Sequence, residues 1–397
     1  MKNGFKVIDM DTHVNPSMTV LEKYLEPSFR PRFDELKPYF NVRRRSRSDG
    51  TIMESTGLSV GPIPYDRFAG EAPKEEDTIA VPGGRSALDG RVQSNHRAPI
   101  QPGVDDENFD GRIQDMDMEG RDIDFIFPGT WPAALTALDV GLAEGMYRAY
   151  HRYMHDYTAK YPDRLKSAAQ VPGADVEWAV SELKSLAQEK WLSAVWVHLP
   201  EGRPIDHPDF EPLWATMNDL DLPLIHHSFF TEPPYFPGYR DIWGNAAVAR
   251  TAAHPWGAAR FCAYLIVSGI FDRYPNFRAG VAEVGHGWLP QWVIRLGRMI
   301  EYVSGTTPEL KYTPLEYVQQ GRFMCAAEPF EGPEMTKACI DILGDGVLMH
   351  QSDYPHGEAY FPDTAQMVID WPIWSDFGEE VLRKHMSGNA EKFLRLI

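Results

Sequence analysis

Short apolar runs that read as strands alternate with amphipathic runs that read as helices about eight times along this chain, a rhythm that parallel strands joined by right-handed crossovers satisfy. Strand-like runs fall at 5–13, 124–128, 165–172, 194–198, 222–227, 277–283, 322–326 and 347–353, and helical spacing marks 142–160, 176–189, 210–219, 289–302 and 379–385. Such a pattern is predicted to be α/β: a closed (β/α)8 TIM-like barrel, or an open doubly wound sheet. No glycine-rich dinucleotide fingerprint follows the first strand, which favours the barrel. Residues 1–397 read as one domain, with helical spacing at 21–32 and a long N-terminal insertion at about 40–110. The insertion is rich in Gly, Pro, Arg and Ser, its periodicity is weak, and it is expected to be irregular. A loop of this length is an active-site cover, an oligomer contact or a solvated excursion.

The formal charge of −18 argues against nucleic acid and anionic membrane as partners, the Arg43–Arg47 run notwithstanding. The three cysteines, Cys262, Cys325 and Cys339, lack CxxC spacing and read as reduced core thiols. With no secretory leader behind Met1-Lys2 and no long apolar run, the chain is expected to be cytoplasmic. Eleven tryptophans suit a pocket for a flat organic substrate, although most such rings pack cores.

In a parallel barrel the chemistry sits at the C-terminal ends of the strands. Four runs here end in groups able to hold a divalent ion through imidazole nitrogen or carboxylate oxygen. The first closes on Asp9-Met10-Asp11-Thr12-His13, where two-residue alternation puts Asp9, Asp11 and His13 on one face. The others close on His226-His227, on Glu283 with His286 three residues on, and on His350 to His356 through Asp353. One such ending is ordinary; four together point to a metal enzyme.

This layout resembles the amidohydrolase superfamily, in the branch that contains aminocarboxymuconate-semialdehyde decarboxylase, resorcylate-type decarboxylases and some carbon–carbon hydrolases. The resemblance rests on Ile8-Asp9-Met10-Asp11-Thr12-His13, Leu222-Pro223-Leu224-Ile225-His226-His227, Glu283-Val284-Gly285-His286-Gly287-Trp288-Leu289-Pro290 and Ser352-Asp353-Tyr354-Pro355-His356. It implies metal ligation by Asp11, His13, His227 and Asp353, with Glu283 as a further ligand or a proton carrier where relatives commonly have histidine. His226, which alternation turns toward the helices, is either a ligand or a hydrogen-bonded neighbour. His286 is a catalytic group, a ligand for a second ion, or a loop hydrogen-bonder. His356, Trp131, Trp196 and His198 are expected to shape the substrate pocket, and His254 to be structural.

Zinc is the first expectation for the ion; iron or manganese, including a dinuclear pair, is the alternative. With water as nucleophile the site is a hydrolase in which Asp353 takes a proton and Glu283 returns one. With a carboxylate and adjacent hydroxyl at the ion it is a decarboxylase in which Glu283 or Asp353 protonates carbon. Two ions with His286 as an extra ligand make an oxygenase. A noncatalytic partner of an active homologue is the remaining reading, and the full set of ligand-type residues argues against it. The expected partners are a small-molecule substrate and a second copy or a homologue.

Overall fold

The computed structural model describes residues 1–46, 52–58, 93–129, 131–200, 202–228 and 245–396. Ten strands are present among them: β1 (Ile8–His13), β2 (Phe40–Ser46), β3 (Ile52–Leu58), β4 (Ile123–Phe127), β5 (Leu165–Pro172), β6 (Leu192–His198), β7 (Leu224–His227), β8 (Ala279–Ala282), β9 (Phe323–Ala327) and β10 (Leu348–His350). Eight of them form one parallel sheet in the order β1-β4-β5-β6-β7-β8-β9-β10. The sheet curls into a nearly closed barrel with helices between the strands, as the alternating pattern requires. Past the end of β10 its two edges meet: Asp353 N–H donates to the Asp11 carbonyl at 2.9 Å, and His13 N–H to the Tyr354 carbonyl at 2.7 Å.

Strand alternation sorts the side chains into two layers. Ile8, Met10, Phe125, Phe127, Trp196, Ile225, Met324 and Met349 fill the barrel interior, while Val7, Ile126, Val171, Val197, Val281 and Leu348 pack outward against the helices. The last helix, Asn389–Leu394, brings Phe393 beneath the barrel. Gly280 accommodates it, since a Cβ there would lie 2.8 Å from the Phe393 ring. The cysteines are free and buried, as expected.

Three expectations need correction. The single helix at 21–32 is instead two short ones, Met18–Glu22 and Arg30–Phe33, because Pro27 lies between them and has no N–H to continue the ladder. The insertion does not begin irregularly: β2 and β3 pair antiparallel in full register from Phe40↔Leu58 to Ser46↔Ile52. The helix Glu379–Arg383 runs on into a π-helical turn, Lys384–Gly388. Residues 59–92 of the insertion lie outside the described residues. Among the described residues no helix is long and apolar enough to cross a membrane.

The floor under the barrel gives a stability test. Phe393 is fully buried, so Phe393→Ala is expected to cost about 3–5 kcal/mol in urea unfolding. A loss below about 1 kcal/mol would mean that the closing helix is not part of the core.

Candidate metal centre

The first strand reaches the site through an irregularity in its pairing. Ile8 and Asp9 pair with Ile123 and Asp124, but Thr12 and His13 pair with Ile126 and Phe127. Two residues, Met10 and Asp11, therefore oppose Phe125, and the extra residue turns Asp11 to the interior beside Met10. His13 follows inward, next to Phe127. Asp9 stays on the helix side, where Arg121 Nη1 lies 3.3 Å from its carboxylate. The expected common face for Asp9, Asp11 and His13 is thus corrected: the bulge separates Asp9 from the other two.

Around Asp11 the strand ends converge. His13 Nε2 lies 3.2 Å from Asp11 Oδ1 and 3.0 Å from Asp353 Oδ1. His227 Nε2 lies 3.3 Å from Asp11 Oδ1 and 3.0 Å from Glu283 Oε2. His356 Nδ1 meets Asp353 Oδ1 at 2.7 Å, and its ring stacks on His13 at 4.1 Å. Ligand-type atoms of Asp11, His13 and His227 fall within 4.8 Å of one another, as do those of His13, Asp353 and His356. Among the described residues, both Asp11 oxygens, His13 Nε2, His227 Nε2 and Asp353 Oδ2 are buried without a hydrogen-bond partner. Unsatisfied buried groups of both types, converging at this range, fit a divalent cation. Ser228, Glu283 and Asp353, each just beyond a strand end, have φ of 52°, 51° and 66°. That backbone is costly for non-glycine residues and turns their side chains at the barrel mouth.

The charges agree with this assignment. Burial disfavours an imidazolium, yet Asp11 and Asp353 raise His13 to about 9. Asp11 and Glu283 likewise hold His227 well above the ordinary histidine range despite its burial. On the acid side burial opposes ionisation, but His356 and His13 hold Asp353 down to about 2. His227 and Arg250 hold Glu283 low, and His227 and His13 hold Asp11 low. Two histidine protons thus supply the positive charge that a divalent ion supplies when bound, so exchanging them for the ion preserves the charge of the site.

The other expected residues lie around or behind the cluster, His226 on the helix side to which alternation turns it. His226 packs against Phe261 at 5.5 Å on the helix side of β7. Trp196 lies inside the barrel, 5.6 Å from the His227 ring. His198 bonds to Gln170 Oε1 at 2.9 Å and is buried behind Trp196. Trp131 packs against Tyr147 and Tyr150 in the helix layer. His286 is turned from the cluster: Nε2 meets Thr336 Oγ1 at 3.0 Å and Nδ1 meets Glu331 at 2.9 Å. The feature that raised a two-ion reading therefore serves loop structure.

A cavity of about 270 Å3 adjoins the cluster, lined by Glu283, Asp353, Glu358, Arg250, His254, Glu328 and the apolar Val284, Pro255, Pro329 and Phe330. Two of these, Arg250 and Glu328, are not marked by the sequence pattern. Arg250 Nη2 bridges Glu283 and Glu358 at 2.8 and 2.9 Å. His254, expected to be structural, lines the cavity and meets the Glu283 main-chain carbonyl through Nδ1 at 2.6 Å. Glu328 directly follows β9, and burial with the charges of Glu283, Glu331 and Asp353 pushes it well above the carboxylate range. An acid closing an apolar strand was the same signal as elsewhere, two residues past the expected end of that strand.

Fold and site together define a parallel barrel with a divalent-metal centre at the strand ends. The chain belongs to the family described as Amidohydrolase, whose pattern matches residues 8–396. It is 25% identical over 301 residues to a gamma-resorcylate decarboxylase of Polaromonas sp. (strain JS666), covering 72% of this chain and 87% of that one. The structure of 5-carboxyvanillate decarboxylase from Sphingomonas paucimobilis superposes with a TM-score of 0.65 at 18% identity, covering 99% of both chains. That of 5-carboxyvanillate decarboxylase from Novosphingobium aromaticivorans, complexed with manganese and 4-hydroxy-3-methoxy-5-nitrobenzoic acid, gives 0.63 at 19% identity, covering 99% of this chain and 97% of that one.

The charge exchange is testable by calorimetry in two buffers of different ionisation enthalpy. His13, raised to about 9, and His227 are protonated at pH 7 and must be neutral to ligate, so ion binding is expected to release about two protons. Affinity is expected to rise with pH through at least about 9, where His13 loses its proton, since His227 too is held well above the ordinary histidine range. Binding without proton release would contradict the assignment of the histidines.

Proposed function

We propose that this chain is a metal-dependent decarboxylase acting on a small aromatic carboxylate with a hydroxyl beside the carboxyl. One observation carries the reading: the cavity that Asp353 and Glu283 line beside the unsatisfied cluster is also lined by a carboxyl, Glu328, that burial and neighbouring charges push toward its protonated form. A site built to give a proton to carbon needs such an acid, whereas water activation needs only a base. The decarboxylases that the chain resembles support the same choice.

Asp11, His13, His227 and Asp353 hold the ion, and Glu283, 3.0 Å from His227 Nε2, is near enough to join them. When bound, the ion offers positive charge to the substrate's carboxylate and hydroxyl oxygens. Three aspartate and glutamate carboxylates with two imidazoles suit manganese as well as the zinc first expected. Val284, Pro255, Pro329 and Phe330 exclude water around the ring. Glu283, bridged to Arg250, keeps its charge, so the proton carrier is reassigned from Glu283 to Glu328. Its proton passes to the ring carbon that bears the carboxylate. The carbon–carboxylate bond then breaks, its electron pair returns to the ring and carbon dioxide leaves. Water returns a proton to Glu328, and the hydroxide so formed combines with the released carbon dioxide as bicarbonate.

The cavity is lined by five acids, Glu283, Glu328, Glu331, Asp353 and Glu358, against one arginine, Arg250. An anion is therefore expected to enter only after the ion. With 2,6-dihydroxybenzoate and 5-carboxyvanillate as probes, carbon dioxide release should require manganese or zinc. Removing the ion should abolish probe binding as well as turnover. Glu328→Gln is expected to lower kcat by about 10²-fold or more with metal content unchanged. Undiminished turnover in that variant, or oxygen consumption without carbon dioxide release, would overturn the reading.

A further inference from the structure

We infer that Asp9, which faces away from the ion site, is the positioning residue that holds the ligands Asp11 and Asp353 in place across the closing seam of the barrel. The inference rests on the metal centre described above and concerns a residue outside it.

Asp9 is completely buried on the outer face of β1. Its Oδ1 accepts the Ser352 N–H at 2.9 Å and the Asp11 N–H at 3.2 Å. Its Oδ2 accepts the Ser352 Oγ–H at 2.5 Å and faces Arg121 Nη1 at 3.3 Å. Asp11 belongs to the first strand, and Ser352 follows the last. One carboxylate therefore grips both edges of the sheet where they meet. What it grips is Asp11 itself and the residue before Asp353.

The main-chain seam is thin at this level. Asp353 N–H to Asp11 carbonyl and His13 N–H to Tyr354 carbonyl are the bonds that join the edges, and Asp353 sits in strained backbone at φ 66°. Ser352 extends the grip one residue further, since its Oγ accepts the Tyr354 N–H at 3.1 Å. From the other side the Arg121 guanidinium fixes Asp9. It is fully buried, lies 4.2 Å over the Tyr354 ring, and faces Asp124 and Glu119 at 3.4 Å each. Donors converge on both oxygens of Asp9, so the carboxylate has one orientation and passes it to the ligands. Groups that orient ligands in this way commonly set affinity by about 10–100-fold.

The test measures manganese binding by counting free Mn(II) with electron paramagnetic resonance, and records the spectrum of the bound ion. Asp9→Asn turns an N–H2 toward donors on Ser352; Ser352→Ala removes the two hydroxyl bonds, to Asp9 and from the Tyr354 N–H, and leaves the main-chain donor to Asp9. Asp9→Asn is expected to weaken manganese binding by about 10–100-fold and to change the bound-ion spectrum. Ser352→Ala should do the same to a smaller degree. A purely structural Asp9 would lower the melting temperature of the metal-free protein but leave affinity and spectrum unchanged, and that result overturns the inference. If Asp9→Asn does not fold, Ser352→Ala decides alone: wild-type affinity and spectrum overturn it. A wild-type chain that binds no divalent ion overturns the reading of the centre itself, and is distinguishable because no variant is then needed.

Discussion

The site depends on the closure of the barrel at one seam. A parallel sheet has two free edges, and each edge exposes N–H and carbonyl groups that need partners. Here the edges pair through Asp353 N–H with the Asp11 carbonyl and His13 N–H with the Tyr354 carbonyl. The residues that satisfy the last backbone bonds therefore include three of the proposed ion ligands, Asp11, His13 and Asp353, and the neighbour of one. Closure brings together carboxylates and an imidazole more than 330 residues apart in the chain. A barrel left open at this seam would keep its helices and lose its centre.

Closure also creates the electrostatic problem that the site solves. Asp11, Asp353 and Glu283 are buried close to one another, and burial alone would drive each toward its neutral form. Histidine protons and Arg250 keep them charged, and the ion takes over the part of the protons when it binds. Glu328 lies in the same cavity with burial and like charge acting together, so it goes the other way. Carboxyls with opposite protonation states a short distance apart are the usual sign of divided roles.

The parts of this arrangement that follow from local pattern were readable in the sequence. Asp11, His13, His227 and Asp353 each end an apolar run, and a barrel collects such ends at one mouth. The bulge that sends Asp11 inward and Asp9 outward was not readable, because it arises from pairing with 123–127, far along the chain. The direction of His286 was hidden for a similar reason. Gly285 has φ 67°, and Glu331, beyond β9, takes the main-chain N–H of His286 and of Gly287. Arg250 and His254 come from a helix, Ala246–Val267, whose spacing reads as packing. Only the tertiary fold shows that its first turns lean over the cavity.

The central claim is that one divalent ion sits among Asp11, His13 and His227 with Asp353 beside it. Anomalous scattering from crystals soaked in manganese tests this most directly. One strong peak is expected within ligating distance of His13 Nε2, His227 Nε2 and an Asp11 oxygen. A peak at His286 and Glu331, or none at the barrel mouth, would contradict it.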